Sequence, residues 1–376
     1  MIYLNNTATS FPKPNSVVNS INEYLINPPT NLGRSSGTGS SYVDDTRSQI
    51  LDFFNAKDYY NLVFTSGSTE AINLTILGLD INGKEVIISS NEHNAVIRPL
   101  MDLQNKGIIT IKIAQCDSNG FLDINSIKEL ISDNTGLIVI NYISNVTGNI
   151  QDVRQISYIA KKNNIKLLID GSQAAGNLNI DLSEIEPDFF SFTGHKSLFG
   201  IQGIGGLIFK KNAELKPLKF GGTGFKSTSL IQPEEFPHKY EAGTQNIPGI
   251  ISIKKGIEYI NEVGLANILS HKKKLMTYVI EELSKIENIK LYYNKENYSY
   301  SVLSFNIDKL APEESSYMLK SGFDIEVRSG IHCAPLIHHN LGTYPNGTVR
   351  ISPSYFTKEE EIEIFVDAIK SIAKEY

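Results

Sequence analysis

Ile165-Lys166-Leu167-Leu168-Ile169-Asp170, read together with Asp188-Phe189-Phe190-Ser191-Phe192-Thr193-Gly194-His195-Lys196, decides the fold. Each stretch opens as a short apolar run of the kind that forms a buried strand. The first ends in a carboxylate and continues as Gly171-Ser172-Gln173; the second runs on to a small hydroxyl residue, a glycine, a histidine and a lysine. Upstream, Leu62-Val63-Phe64-Thr65 leads into Ser66-Gly67-Ser68-Thr69-Glu70-Ala71-Ile72-Asn73, a pattern of strand, tight turn and helix start. Short apolar strands alternate with helical stretches elsewhere, as in Leu137-Ile138-Val139-Ile140 followed by a helix from Val153 to Lys162. This alternation predicts an α/β domain on a largely parallel sheet.

An acid at one strand end and a lysine beyond the next meet the needs of pyridoxal phosphate (PLP). Asp170 would keep the pyridine nitrogen protonated, so that the ring acts as an electron sink, and Lys196 would carry the aldehyde as a Schiff base. Backbone N–H groups at the helix start near Ser68 are unpaired. Such an end binds phosphate through those groups and the helix dipole, with Ser and Thr hydroxyls as further donors. Taken alone, the same residues would serve as an ordinary helix cap.

Together these segments resemble the fold-type I PLP enzymes of aminotransferase class V, and within them the cysteine desulfurases and selenocysteine lyases. The resemblance runs almost the whole chain, from Tyr3-Leu4-Asn5-Asn6-Thr7-Ala8-Thr9 through Glu92-His93-Asn94-Ala95, Ser144-Asn145-Val146-Thr147-Gly148 and Thr193-Gly194-His195-Lys196. It implies a large domain with a mainly parallel seven-stranded sheet and a smaller α+β C-terminal domain. It also implies that His93 stacks on the cofactor ring and acts in catalysis, and that Asn145 and Gln173 face the ring oxygen. Ser68, Thr69, Thr193 and His195 would contact the phosphate. Tyr240-Glu241-Ala242-Gly243-Thr244 is similar to the family's E-x-G-T, whose threonine reaches the phosphate of the neighbouring subunit, which implies a homodimer with shared sites.

PLP chemistry is common to several reaction classes, so the C-terminal quarter decides between them. Val327-Arg328-Ser329-Gly330-Ile331-His332-Cys333-Ala334-Pro335-Leu336 resembles the cysteine loop of the group II desulfurases. A sulfur-accepting nucleophile must be a thiolate. Gly330 allows unusual backbone angles, Pro335 is expected to end regular structure, and His332 and Arg328 are expected to favour the charged thiol. The alternative for Cys333 is burial as a small apolar residue; Cys116, in Ile113-Ala114-Gln115-Cys116-Asp117, is read as inert. Gly347-Thr348-Val349-Arg350-Ile351-Ser352 reads as a strand with an inward arginine, which in the family clamps the substrate carboxylate with its two-donor fork.

The resemblance thus implies conversion of L-cysteine to L-alanine with a persulfide on Cys333, collected by an acceptor protein because the loop is short. A selenocysteine lyase acting on L-selenocysteine and a true aminotransferase are the alternatives. Two residues depart from the family wording: Asn5 stands for an acid, a change in a supporting contact, and Ile331 stands for a histidine.

A chain of 376 residues fits two domains. The large one is expected at 16–261, and the smaller at 1–15 and 262–376, with a helix over Gly264–Glu287, apolar stretches at Ile289–Tyr293 and Val302–Ile307, and a closing helix over Thr357–Lys374. Gly221 to Pro237 is the expected flexible loop. A formal charge of −6 gives no basic footprint for nucleic acid or anionic membrane. With no signal-peptide pattern and no apolar run near membrane length, the expected compartment is the cytoplasm. Two distant cysteines do not suggest a disulfide framework. Gly200-Ile201-Gln202-Gly203-Ile204-Gly205-Gly206 approximates a dinucleotide fingerprint but precedes a strand instead of a helix. His332, Cys333, His338 and His339 lack the second cysteine pair that would complete a tetrahedral metal set, and are read as loop and surface.

Overall fold

The computed structural model describes residues 1–27 and 41–376. Residues 28–40, within the expected large domain, lie outside the described residues. The chain opens with β1 (Ile2–Tyr3) and α1 (Asn15–Ile26) and continues from α2 (Tyr42–Phe53). Then strands β2 (Tyr60–Thr65), β3 (Glu85–Ser89), β4 (Thr110–Ala114), β5 (Thr135–Asn141), β6 (Lys166–Asp170), β7 (Phe189–Thr193) and β8 (Gly205–Lys210) alternate with helices. These helices are α3 (Ser68–Gly78), α4 (Asn94–Asn105), α5 (Ile124–Leu130), α6 (Val153–Lys162) and α7 (Leu182–Ile185).

Those seven strands form one sheet in the order β2-β8-β7-β6-β5-β3-β4. Strand β8 runs antiparallel to both neighbours, and the other pairings are parallel. The near-continuous apolar runs follow from burial on both faces. Successive side chains along a strand point to opposite faces, and here they enter different cores. Ile138, Ile140, Leu167, Ile169, Phe190 and Phe192 join one apolar cluster. Leu137, Val139, Leu168 and Phe189 join another.

The second half of the chain comprises α8 (Ile247–Val263), α9 (Leu265–Leu283), β9 (Ile289–Tyr292), β10 (Leu303–Ile307), α10 (Pro312–Phe323), β11 (Ile325–Glu326), β12 (Arg328–Gly330), α11 (Pro335–Leu341), β13 (Thr348–Ile351) and α12 (Glu359–Ala373). The expected boundary at residue 261 falls within the last turn of α8. Strands β12-β13-β10-β9 form an antiparallel sheet. Side chains from α9, α12, β10 and β13 make a third apolar core, which Leu4 also enters, while β1 pairs in parallel with β11.

Pro335 departs from expectation. It does not end regular structure but opens α11 at the first helical position, where its fixed φ suits a helix and its missing N–H costs nothing. No helix among the described residues is long and apolar enough to cross a membrane.

Candidate active site

A cavity of about 340 Å³ lies beyond the C-terminal ends of β5, β6 and β7, closed by Arg328, His332 and Arg350 of the smaller domain. Ligands of open α/β sheets bind at this edge. Parallel strands deliver their last residues to it together: Asn141 from β5, Asp170 from β6 and Thr193 from β7.

Asp170 is buried, and its hydrogen bonds all fall on one oxygen. Oδ1 accepts from the Ser172 backbone N–H at 2.9 Å, from the Ser172 hydroxyl, from Ser68 Oγ at 3.2 Å and from Ser191 Oγ at 3.4 Å. Oδ2 takes part in none of these bonds, and Asp170 lines the cavity, so that oxygen is suited to a cationic ring N–H. The single Ser68 hydroxyl proton is shared between Asp170 and Ser191 Oγ, which lies 2.8 Å away. Ser68 therefore offers the cavity its backbone N–H, and not the hydroxyl that the sequence suggested. Helix α3 starts at Ser68 with no side-chain cap, leaving its first N–H groups directed at the cavity. Thr69, Thr193 and His195 line the same end.

Lys196 sits in the cavity wall. Burial, helped by Arg350 and Arg328 and opposed by Asp170, pulls its ammonium down to about 8. Burial, with Lys196 and Lys13 adding repulsion, holds the His195 imidazole down to about 4, so it is neutral. Its Nδ1 is buried without a partner. Asn145 Oδ1 and Arg350 Nε are likewise buried and unpartnered. With Asn141 Oδ1 and His332 Nδ1, five orphaned polar atoms belong to residues lining this cavity, the mark of a site shaped for a polar ligand.

His93 is both the N-cap of α4 and a cavity residue. Its Nδ1 accepts from Ala95 N–H at 3.0 Å, which leaves Nε2 as the ring's donor. Asn145 donates from Nδ2 to the His332 carbonyl at 2.7 Å, and Gln173 Nε2 donates to the Thr7 carbonyl at 3.3 Å. Arg350 donates to the Asn145 carbonyl at 2.9 Å and to Asn5 Oδ1 at 3.4 Å. Asn5 thus supports Arg350 as a neutral acceptor and leaves its charge uncompensated. Burial and Arg328 draw Arg350 down to about 9, which keeps it cationic at neutral pH.

Cys333 is half-buried and does not itself line the cavity, but it adjoins the lining residues His332 and Arg328, with Arg328 Nη2 3.4 Å from its sulfur. Hydrogen bonding from His93, followed by Arg328, pulls its thiol down to about 6 despite partial burial. His332 does not take the expected role. Its Nε2 lies 3.0 Å from both the carbonyl and the hydroxyl of Thr348, and burial holds it well below the ordinary histidine range. A neutral ring that already spends its N–H on Thr348 cannot supply positive charge to the thiol. Cys116 is buried and pushed up to about 12 by desolvation.

Thr244 is the predicted cofactor residue that does not join this cavity; it is exposed. Its neighbour Glu241 forms a buried two-pronged bridge to Arg47, at 2.8 and 3.0 Å, and accepts from Phe64 N–H at 2.7 Å. Arg47 was not legible as a partner, because 194 positions separate the two. Glu92 was missed as well: it is fully buried beneath His93, accepting from Ser89 Oγ at 2.6 Å and Asn141 N–H at 3.0 Å. His338, read as surface, is fully buried. Among the described residues no group of three or more His, Cys, Asp or Glu side chains is placed to hold a metal ion.

The chain resembles known proteins along its length. A probable cysteine desulfurase from Methanothermobacter thermautotrophicus is 32% identical, covering 99% of this chain and 94% of that relative. One from Borreliella burgdorferi is also 32% identical, covering 100% and 92%. The apo structure of a cysteine desulfurase from Thermococcus onnurineus superposes with a TM-score of 0.91 at 31% identity, covering 100% of this chain and 95% of that one. The aminotransferase class-V family matches residues 2–365, and this chain belongs to that family.

Proposed function

We propose that this protein is a PLP-dependent cysteine desulfurase, converting L-cysteine to L-alanine and leaving a persulfide on Cys333. The observation that carries this reading is the Cys333 thiol, drawn down to about 6 between His93 and Arg328 beside a cavity lined by Lys196, Asp170 and Arg350. An aminotransferase would have no use for that thiolate. The names of the relatives agree.

The cavity fits PLP: Asp170 Oδ2 for the pyridine nitrogen, Lys196 for the aldehyde, and the α3 N-terminus with Thr69, Thr193 and His195 for the phosphate. Asn145 and Gln173 would face the ring oxygen, and His93 its flat side. When bound, PLP supplies an electron sink for the charge left as a proton leaves the substrate Cα. Arg350, without a carboxylate partner in the described structure, binds and orients the substrate carboxylate, assisted by Arg328 and Asn145. Lys196, with an appreciable uncharged fraction near neutral pH, takes the Cα proton. The Cys333 thiolate attacks the substrate sulfur; the S–S bond forms as the C–S bond breaks. The electron pair returns to the organic fragment, which takes up protons and leaves as alanine.

Thr244 would complete the phosphate site of a second subunit in a homodimer, and an acceptor protein would collect the sulfur from Cys333. A cytoplasmic setting, where thiols stay reduced, suits that chemistry. PLP-loaded protein given L-cysteine or L-selenocysteine in parallel, with mass spectrometry on Cys333, tests the reading. Alanine and a Cys333 persulfide are expected from cysteine, no product from Lys196→Ala, and no persulfide from Cys333→Ala. Turnover of selenocysteine alone would assign a lyase, and amino transfer to a keto acid without persulfide would assign a transaminase.

A further inference from the structure

The residues around Cys333 adopt a backbone that something must hold. His332 and Cys333 have φ of 52° and 60°, following Gly330 at 97°. Two successive non-glycine residues persist in the left-handed region only when their surroundings over-determine them. The anchors are identifiable. Asn145 Nδ2 donates to the His332 carbonyl at 2.7 Å, and Asn94 N–H to the Cys333 carbonyl at 2.7 Å. The remaining anchor is on Ile331, whose carbonyl accepts from Ala334 N–H at 3.0 Å and lies 3.1 Å from His338 Nε2.

The His338 tautomer follows from its partners. A carbonyl can only accept, so Nε2 carries the proton and donates to Ile331. Nδ1 is then an acceptor and receives the Thr343 hydroxyl at 2.7 Å. The ring is fully buried in the first helix after the cysteine, with both nitrogens occupied. Such a two-sided clamp does no chemistry itself, but it fixes the position of the residue two before Cys333. We propose that His338 is a positioning residue for Cys333: its ring, held between Thr343 and the Ile331 carbonyl, sets the turn that aims the sulfur at His93 and Arg328. The inference goes beyond the reaction assigned above and uses only the assignment of Cys333 as the reacting thiol.

Charged and titratable groups facing the loop come from several elements: His93 at the start of α4, Arg328 and Arg350 on β12 and β13, and Lys196 after β7. His332 and His339 flank His338, and Glu313 of α10 approaches Gly330. Substitution at His338 or Thr343 removes neither His93 nor Arg328, the groups that act on the thiol, so a change in thiol reactivity reads the position of the sulfur.

The experiment is the pH profile of Cys333 alkylation by iodoacetamide in PLP-loaded protein, followed on the Cys333 peptide by mass spectrometry, with L-cysteine turnover in parallel. His338→Ala is expected to raise the alkylation midpoint by about one pH unit, as the sulfur leaves the His93 N–H and the Arg328 guanidinium. It should also lower kcat on the order of 10- to 100-fold with KM little changed. His338→Gln, which can still present an N–H to Ile331, should recover most of both. A His338→Ala profile that superimposes on the parent's, or a Gln variant as impaired as Ala, overturns the proposal. If His338→Ala does not fold, Thr343→Val decides: a raised midpoint supports the clamp and an unchanged one refutes it. Should the parent fail to desulfurate cysteine, the alkylation profiles still decide the role of His338.

Discussion

At the scale of single residues, the least expected group is Glu92. It is buried directly behind the cavity, and burial, with Asp170 adding repulsion, raises its carboxyl from the ordinary 4.5 to about 8. An unfolded glutamate ionises near the ordinary value, whereas the folded one keeps its proton to about pH 8. The stability this group contributes is therefore present at low pH and is lost as pH rises through that interval, by roughly 3–5 kcal/mol at its upper end. Glu92→Gln keeps an acceptor for Ser89 and Asn141 and cannot ionise. Its Tm is expected to match the parent at pH 5 and to exceed it by several degrees at pH 8.5. An equal gap at both pH values would show that Glu92 does not titrate across this range. The sequence revealed Glu92 as one letter beside His93, and nothing in its spacing told that it faces inward. The same holds for His338, whose burial depends on how α11 packs, and for His332, whose partner Thr348 lies on another strand.

At the scale of elements, legibility was high where one physical rule governs. Strands covered on both faces must be apolar almost throughout, so β5, β6 and β7 stood out, with ends displaced by a residue or two. Helix α6 follows the expected 153–162. What escaped was the contact between elements, as at Gly205. A Cβ there would lie 2.5 Å from the Phe192 carbonyl oxygen and 2.7 Å from Gly67 Cα, so β8 presses its backbone against the turn that opens α3. That turn is the proposed phosphate cradle, and Gly205→Ala must push it outward. The expected result is a PLP Kd raised roughly tenfold or more, equivalent to about 1.4 kcal/mol. Fluorescence titration of the apoprotein measures it, with Gly322→Ala, where a Cβ meets nothing within 4 Å, as the control. Unchanged affinity would mean that the turn does not carry the phosphate.

At the scale of the whole molecule, the cavity exists because two cores meet over one sheet edge. The large sheet supplies Asp170 and Lys196; the smaller domain supplies Arg328, Cys333 and Arg350. Helix α9 ties the halves together, its buried Lys272 donating to Asn177, which in turn donates at 2.7 Å to the carbonyl of Gln173. Yet Thr244 is exposed and does not line its own cavity, and it lies on a segment fixed by Arg47 and Glu241 and preceded by exposed Phe220, Leu230 and Ile231. Exposed apolar side chains beside a rigid, polar segment suit a subunit interface. If Thr244 serves a partner's phosphate, two inactive chains should complement each other. Lys196→Ala lacks the lysine, and Thr244→Asp sets a carboxylate against the phosphate, so either homodimer should be inactive. In a mixed dimer, the site holding Lys196 receives the intact Thr244 of the other chain, while the second site collects both defects. Each mixed dimer has one good site of two, so the mixed dimers should recover about half of the parental activity. Co-expression with two different affinity tags and a cysteine-to-alanine assay on the doubly tagged fraction measures this. Complementation cannot occur if Thr244 acts within its own chain, because both sites of the mixed dimer would then carry one defect.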